Sequence, residues 1–169
     1  MAANPYKTQQ SKAFWRPAVA ERHYADLQDL WTPLDLKRTD KVATAGSCFA
    51  QHIGNNLAKR GANYMDMEPA PPFFQTPTEA RDWGFGVFSC RYGNIYTTRQ
   101  LVQLFDEAFG HRTPVDQVWA KGDRFYDALR VSIDPVGHDT PETVLALRTR
   151  HLAAVRAMFE TLDLFVFTL

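Results

Sequence analysis

The hydrophobic pattern changes character about a quarter of the way along the chain. Up to Arg38, large apolar residues such as Trp15 and Trp31 are scattered among polar ones without a helical or strand period. This predicts an arm, residues 1–38, that packs on a body formed by residues 39–169. From Lys41 the pattern tightens. "KVATA" reads as a short buried strand that Gly46 breaks. Phe49, Ile53 and Leu57 then recur at helical spacing, with Ala50 and Ala58 widening the same face. Lys59 and Arg60 fill the last turn of that helix, and Gly61 stands at its C-cap. "ANYMD" follows as a second strand. The resulting β–turn–α–β unit normally sets its strands parallel, with a right-handed crossover.

Residues 67–96 have no clear period. They carry four of the ten prolines and most of the mid-chain aromatics, so they read as one long loop, a feature that is usually functional or irregularly packed. "TTRQLVQLFDEAFG" is a helix with Leu101, Leu104, Phe105 and Phe109 inward, Thr97 or Thr98 as cap and Gly110 as stop. "QVWAKGDRFYDAL" reads as a hairpin turning at Lys121-Gly122-Asp123. Thr140-Pro141-Glu142 opens a helix that runs to about Thr161, with a cap, a first-turn proline and an early acid. In the closing "LFVFTL" five of six residues are apolar, as in a strand buried on both faces of a parallel sheet. The expected fold is therefore α/β, a three-layer α/β/α arrangement around a central parallel sheet. Ligand sites in such sheets lie just beyond the carboxyl ends of the strands. A sequence that stops there is expected to be truncated after the third core strand.

Composition narrows the function. The 169 residues include 19 basic and 19 acidic side chains, so no global field favours nucleic acid or anionic lipid. No segment approaches the roughly 18 apolar residues of a membrane span. The first residues lack the apolar core of a secretory signal, which predicts a cytoplasmic chain with reduced thiols. Cys48 and Cys90 lie 42 positions apart with no CxxC partner, a spacing unlike a zinc site. Neither a metal nor an organic cofactor is expected. The chain also lacks a Walker loop, an HExxH pair and a complete dinucleotide fingerprint.

The chemistry concentrates where the first strand meets the first helix, at Gly46-Ser47-Cys48. Ser47 stands where a serine would cap the helix, and Cys48 has the small size of a buried, inert residue. The same geometry suits a nucleophile. Unpaired amides and the positive end of the helix dipole favour negative charge there. A thiol so placed attacks more readily at neutral pH. A hydroxyl needs a separate base, but the same amides would hold its oxyanion.

These residues also carry a resemblance. "GSCFA", together with "NNLAKRG" and "RYGNIYTTRQLVQLFDEAFG", resembles the GSCFA domain family over roughly residues 35–169. That family is similar to the GDSL-type, or SGNH, hydrolases, which the resemblance implies are three-layer α/β/α enzymes with a nucleophile directly after the first strand. Laid on the Gly-Asp-Ser pattern, Gly46 matches the glycine, Ser47 falls on the aspartate and Cys48 on the serine. Two of three positions therefore depart from the pattern, and the nucleophile is Cys48 or, with the turn shifted by one, Ser47. The resemblance also implies an oxyanion hole, for which Gly46, Gly93 and Asn94 are the candidates, and an Asp–His pair expected beyond the sequence. The implied activity is that of an esterase or acyltransferase on a small-molecule or glycan ester. The alternative, a non-catalytic module binding a glycan or a protein on the same fold, rests on the altered turn and the aromatic loop.

The remaining candidates carry weaker arguments. His52 lies one helical turn beyond Cys48, within reach of its thiol, although a plain polar-face residue fits it better. His151 in "LRTRHLAAVR" and the carboxylates Asp66 and Glu68 read as solvated. Phe73, Phe74, Trp83, Phe85, Phe88, Tyr92 and Tyr96 either line a substrate groove or cover the sheet edge.

Overall fold

The structure is a computed structural model that describes residues 4–32, 34–130 and 132–168. The chain divides into two units, one ending at Leu36 and one beginning at Lys37. The first is a succession of short helical turns, Ser11–Ala13, Arg16–Ala20, Tyr24–Asp26 and Gln28–Leu30. An Arg22–Asp29 ion pair at 2.5 Å ties two of its turns together.

The second unit is α/β. Its elements in order are β1 (Val42–Gly46), α1 (Cys48–Lys59), α2 (Pro77–Asp82), α3 (Thr98–Ala108), β2 (Val118–Lys121), β3 (Arg124–Asp127), α4 (Pro141–Thr161) and β4 (Leu164–Thr168). β1 and β4 pair in parallel, Val42 opposite Leu164 and Gly46 opposite Thr168. β2 and β3 form the expected antiparallel hairpin. α1 packs on β1, and α3 and β3 pack on α4. Ala43, Ala45, Ala50, Tyr92, Val155 and Met158 meet in the core. Val155 and Met158 are wholly buried, a gain of about 1.5–3 kcal/mol for each such side chain.

β1 is buried along its whole length, so each of its backbone polar groups needs a partner. One edge pairs with β4. The other is satisfied piecemeal. Val42 N–H donates to Asn63 O at 3.0 Å, and Val42 O accepts from Met65 N–H at 2.9 Å. Thr44 N–H then donates to Ser89 Oγ at 3.0 Å, while Thr44 O accepts from the Tyr92 hydroxyl. Gly46 O accepts from Ile95 N–H at 2.8 Å. The expected strand at 62–66 is therefore reduced to a single bridge, Val42 to Tyr64, because the irregular segment 89–95 occupies the rest of the edge.

Several expectations change at the level of faces. The inner face of α1 is Ala50 and Gly54, with Ile53 and Leu57 half-buried. Phe49 is 63% exposed, and Ala58 is exposed as well. Gly54 is central because a Cβ there would stand 2.7 Å from Tyr64 Oη. β4 is half-buried at each position rather than enclosed on both faces, since β1 is its one strand neighbour among the described residues. The long loop contains α2, opened by Thr76-Pro77 with Glu79 reaching back to Gln75 N–H.

The basic helix reading of "LRTRHLAAVR" is also corrected. Arg148 and His151 are buried, on the side of α4 that faces the core. Arg148 binds Asp127 of β3 through Nη1 at 2.9 and 3.1 Å and Glu107 of α3 through Nη2. Arg130 donates to Asp127 at 2.8 Å and to Arg91 O at 2.9 Å. Buried charges survive only when paired in this way. No helix of the described residues is long and apolar enough to cross a membrane.

Candidate functional site

The Gly-Ser-Cys turn lies at the carboxyl end of β1, where the chain passes directly into α1. Gly46 has φ +138°, and any side chain there would be driven into the Thr168 carbonyl of β4. Only glycine lets the two strand ends come this close. Ser47 stands at the N-cap with extended backbone, φ −76° and ψ −177°, yet its hydroxyl makes no cap hydrogen bond. Its amide is committed, donating to Thr168 O at 3.1 Å. Cys48 is exposed and opens the first turn of α1. The amides of Cys48 and Phe49, as first-turn groups, have no intrahelical acceptor, and they find no other among the described residues.

Gly93 and Asn94 are brought to this turn. Ile95 N–H, the donor to Gly46 O, anchors the segment, and Gln51 Nε2 on α1 donates to Asn94 Oδ1 at 3.3 Å. Asn94 Nδ2 in turn donates to Tyr96 Oη at 2.9 Å. Tyr96 N–H donates to Gln100 Oε1 at 2.9 Å, the side chain that completes the capping box of α3 with Thr97. Asn94 is thus suspended between the starts of α1 and α3. It lines two small clefts. One, of about 120 Å³, is bounded by Gln51, Arg81, Phe88 and Gly93. The other, of about 80 Å³, is bounded by Gln100, Gln103, Arg130 and Arg148.

His52 is exposed, and among the described residues neither Ser47 Oγ nor Cys48 Sγ is hydrogen-bonded to a base. Cys90 lies far from this chemistry in character. It is 1% exposed, its thiol packs on Met158 Sδ at 3.8 Å, and burial pushes its pKa well up. No group of three or more His, Cys, Asp or Glu among the described residues is gathered closely enough to hold a metal ion.

Residues 41–169 match the sequence model of the GSCFA family. The chain belongs to that family. The match begins one residue before β1 and runs through β4, so the GSCFA region takes in every strand and α-helix described above. No curated protein and no solved structure matches the chain.

One polar pair in the GSCFA region escaped the sequence reading. His151 is 0% exposed, and its Nδ1 lies 2.7 Å from Glu68 Oε2, which also accepts from Arg91 N–H at 2.6 Å. Asp66 is exposed, as expected, but Glu68 is not a solvated loop carboxylate. Burial, more than the nearby Arg130 charge, holds the His151 imidazole below its ordinary range. Burial would raise Glu68, but the hydrogen bonds from His151 and Arg91 outweigh it, and the carboxyl titrates below its usual value. The available signal was position. His151 falls at i+7 from Val144 and i−7 from Met158, both core residues of α4.

Proposed function

We propose that this GSCFA domain is an esterase or acyltransferase of the SGNH type, with Cys48 attacking the acyl carbon of a small-molecule or glycan ester. The observation that carries the choice of Cys48 is the fate of the amides at the turn. An acyl-transfer site needs unspent donors where the carbonyl oxygen becomes an oxyanion. Ser47 has given its own amide to Thr168 O, whereas the amides of Cys48 and Phe49 are unspent among the described residues. A thiol is intrinsically the better nucleophile and depends less on a neighbouring base. A hydroxyl needs a hydrogen-bonded base, and Ser47 has none among the described residues. In this reading the Cys48 thiolate adds to the carbonyl, and the amides of Cys48 and Phe49 hold the oxyanion. Asn94, tethered by Gln51, offers its second amide N–H to the same region. Collapse expels the alkoxide and leaves a thioester on Cys48, which water or an acceptor hydroxyl then cleaves. Gly46 keeps the turn tight enough for this arrangement, and SGNH-type placement directly after the first strand is consistent with it.

The test compares Cys48 with a cysteine in an unstructured peptide, because Cys90 is too buried to serve as a control. Alkylation of Cys48 should be faster than that of the peptide at neutral pH, and Cys48→Ala should lower p-nitrophenyl ester hydrolysis on the order of 10³-fold. Labelling of Ser47 by a fluorophosphonate, with Cys48→Ala still active, would move the nucleophile to Ser47. A Cys48 no faster than the peptide, with no ester turnover, would favour the glycan- or protein-binding module.

A further inference from the structure

A cavity lies away from the turn, between the 67–85 loop and α4, and the reading above makes no use of it. It measures about 640 Å³, the size of a small-molecule pocket. Phe73, Phe74, Trp83 and Phe85 form the aromatic part of its wall, and Leu147 and Ala154 of α4 line the other side. The rings are clustered around Phe74, with centroids 4.6 Å from Phe73, 5.4 Å from Phe85 and 6.3 Å from Trp83.

The charged groups in this wall are unequally matched. Arg91 is committed through Nε and Nη2. It binds Asp134 at 2.6 Å, donates twice to Trp83 O, and stacks its guanidinium 3.9 Å over Phe85. Arg91 and Asp134 therefore cancel. Glu79 and Arg150, at exposed positions, oppose each other in sign. Glu68 is left over. Its Oε2 takes both the Arg91 N–H and His151 Nδ1, while Oε1 accepts no hydrogen bond among the described residues and is not enclosed. His151, held neutral by burial, supplies a hydrogen bond but no charge. Arg130, the other nearby cation, is spent on Asp127 and the Arg91 carbonyl.

We propose that this cavity binds a protonated amine carried on an apolar or aromatic body, its ammonium donating to Glu68 Oε1 among the faces of Phe74 and Trp83. Aromatic faces attract cations, and a charge-assisted bond to a carboxylate is stronger than a neutral one. A neutral donor would give Oε1 only a weaker bond in place of water, an apolar ligand none, and a carboxylate ligand would meet Glu68 directly. This site does not depend on the chemistry at Cys48.

The experiment titrates the chain at neutral pH with phenylpropylammonium, phenylpropanol and phenylpropanoate, following the indole N–H resonance that Trp83→Phe assigns to Trp83. The amine should bind about tenfold or more tighter than the alcohol, should shift that resonance, and should outcompete the carboxylate. Glu68→Gln should bring the amine down to the level of the alcohol, and Glu160→Gln, at an exposed acid outside the cavity, should leave the preference intact. The wild-type comparison decides the matter even if Glu68→Gln fails to fold. Equal binding of all three probes, tightest binding of the carboxylate, no binding at millimolar concentration, or amine binding that leaves Trp83 unmoved would each overturn the proposal.

Discussion

Gly46 carries the demand of the turn at the smallest scale. With φ +138° and the Thr168 carbonyl where a Cβ would stand, Gly46→Ala strains the backbone and forces the ends of β1 and β4 apart. We expect it to cost about 3 kcal/mol or more, measured by urea unfolding. Its cause would be visible as lost amide protection at Ser47, whose N–H donates to Thr168 O. That the strand ends at Gly46 was legible from the sequence; that the position demands a glycine, because Thr168 of β4 lies against it, was not. Asn94 was a candidate for this site only through the resemblance; the contact that holds it there was not legible. The contact depends on Gln51 reaching Asn94 across 43 positions and on Ile95 N–H reaching Gly46 O, through a loop without periodicity. Phe49 misled for a related reason. It has the spacing of a core residue, but the inner face of α1 turns on the close approach of Gly54 to Tyr64, which leaves Phe49 facing outward.

Among the elements, the helix starts form a graded set. Thr97 accepts from Gln100 N–H at 3.1 Å, and the Gln100 side chain answers back to the Thr97 backbone, a complete capping box. Thr140 and Thr76 accept from the third helical residue in the same way. Ser47 does not. Thr97→Ala should therefore cost about 1 kcal/mol, while Ser47→Ala should cost no more than a few tenths, a contrast that thermal melts of the two variants would read directly. Equal losses would mean that Ser47 caps α1 in solution. The elements with strong local signals, α3, α4 and the β2–β3 hairpin, were readable in advance. α2 was equally readable, since Thr76-Pro77 with Glu79 repeats the Thr140-Pro141-Glu142 signature, but the surrounding prolines concealed it. The strand expected at 62–66 failed for a tertiary reason. Local propensity cannot reveal that Ser89, Tyr92 and Ile95 will take the ladder positions a neighbouring strand would use.

At the scale of the whole molecule, buried charge governs the response to acid. The folded pKa of His151 lies below its ordinary 6.5 and that of Glu68 below 4.5, the first chiefly through burial, the second through hydrogen bonds that outweigh burial. Each contributes stability that is complete above its unfolded pKa and lost as pH falls through the folded value, because the unfolded chain takes up the proton more readily. Asp127, lowered by Arg130 and Arg148 against the push of burial, adds to the loss below about 3.8. Urea melts should thus show stability declining from below about pH 6.5, with His151→Gln flattening the upper part of that decline; a wild-type chain equally stable at pH 7 and pH 5 would contradict a neutral, buried His151. The composition gave no hint of this, since equal numbers of acids and bases say nothing about which of them are enclosed. A different consequence follows from the way β1 is sealed. The two central ladder positions on its side away from β4 are held by the hydroxyls of Ser89 and Tyr92, groups that no incoming backbone can zip past in register. Growth of the parallel sheet is therefore one-directional. Among the described residues, a further strand joining this parallel sheet has a single address, the outer edge of β4, so colonisation by foreign strands is blocked on the other side, with side-chain hydroxyls at its centre.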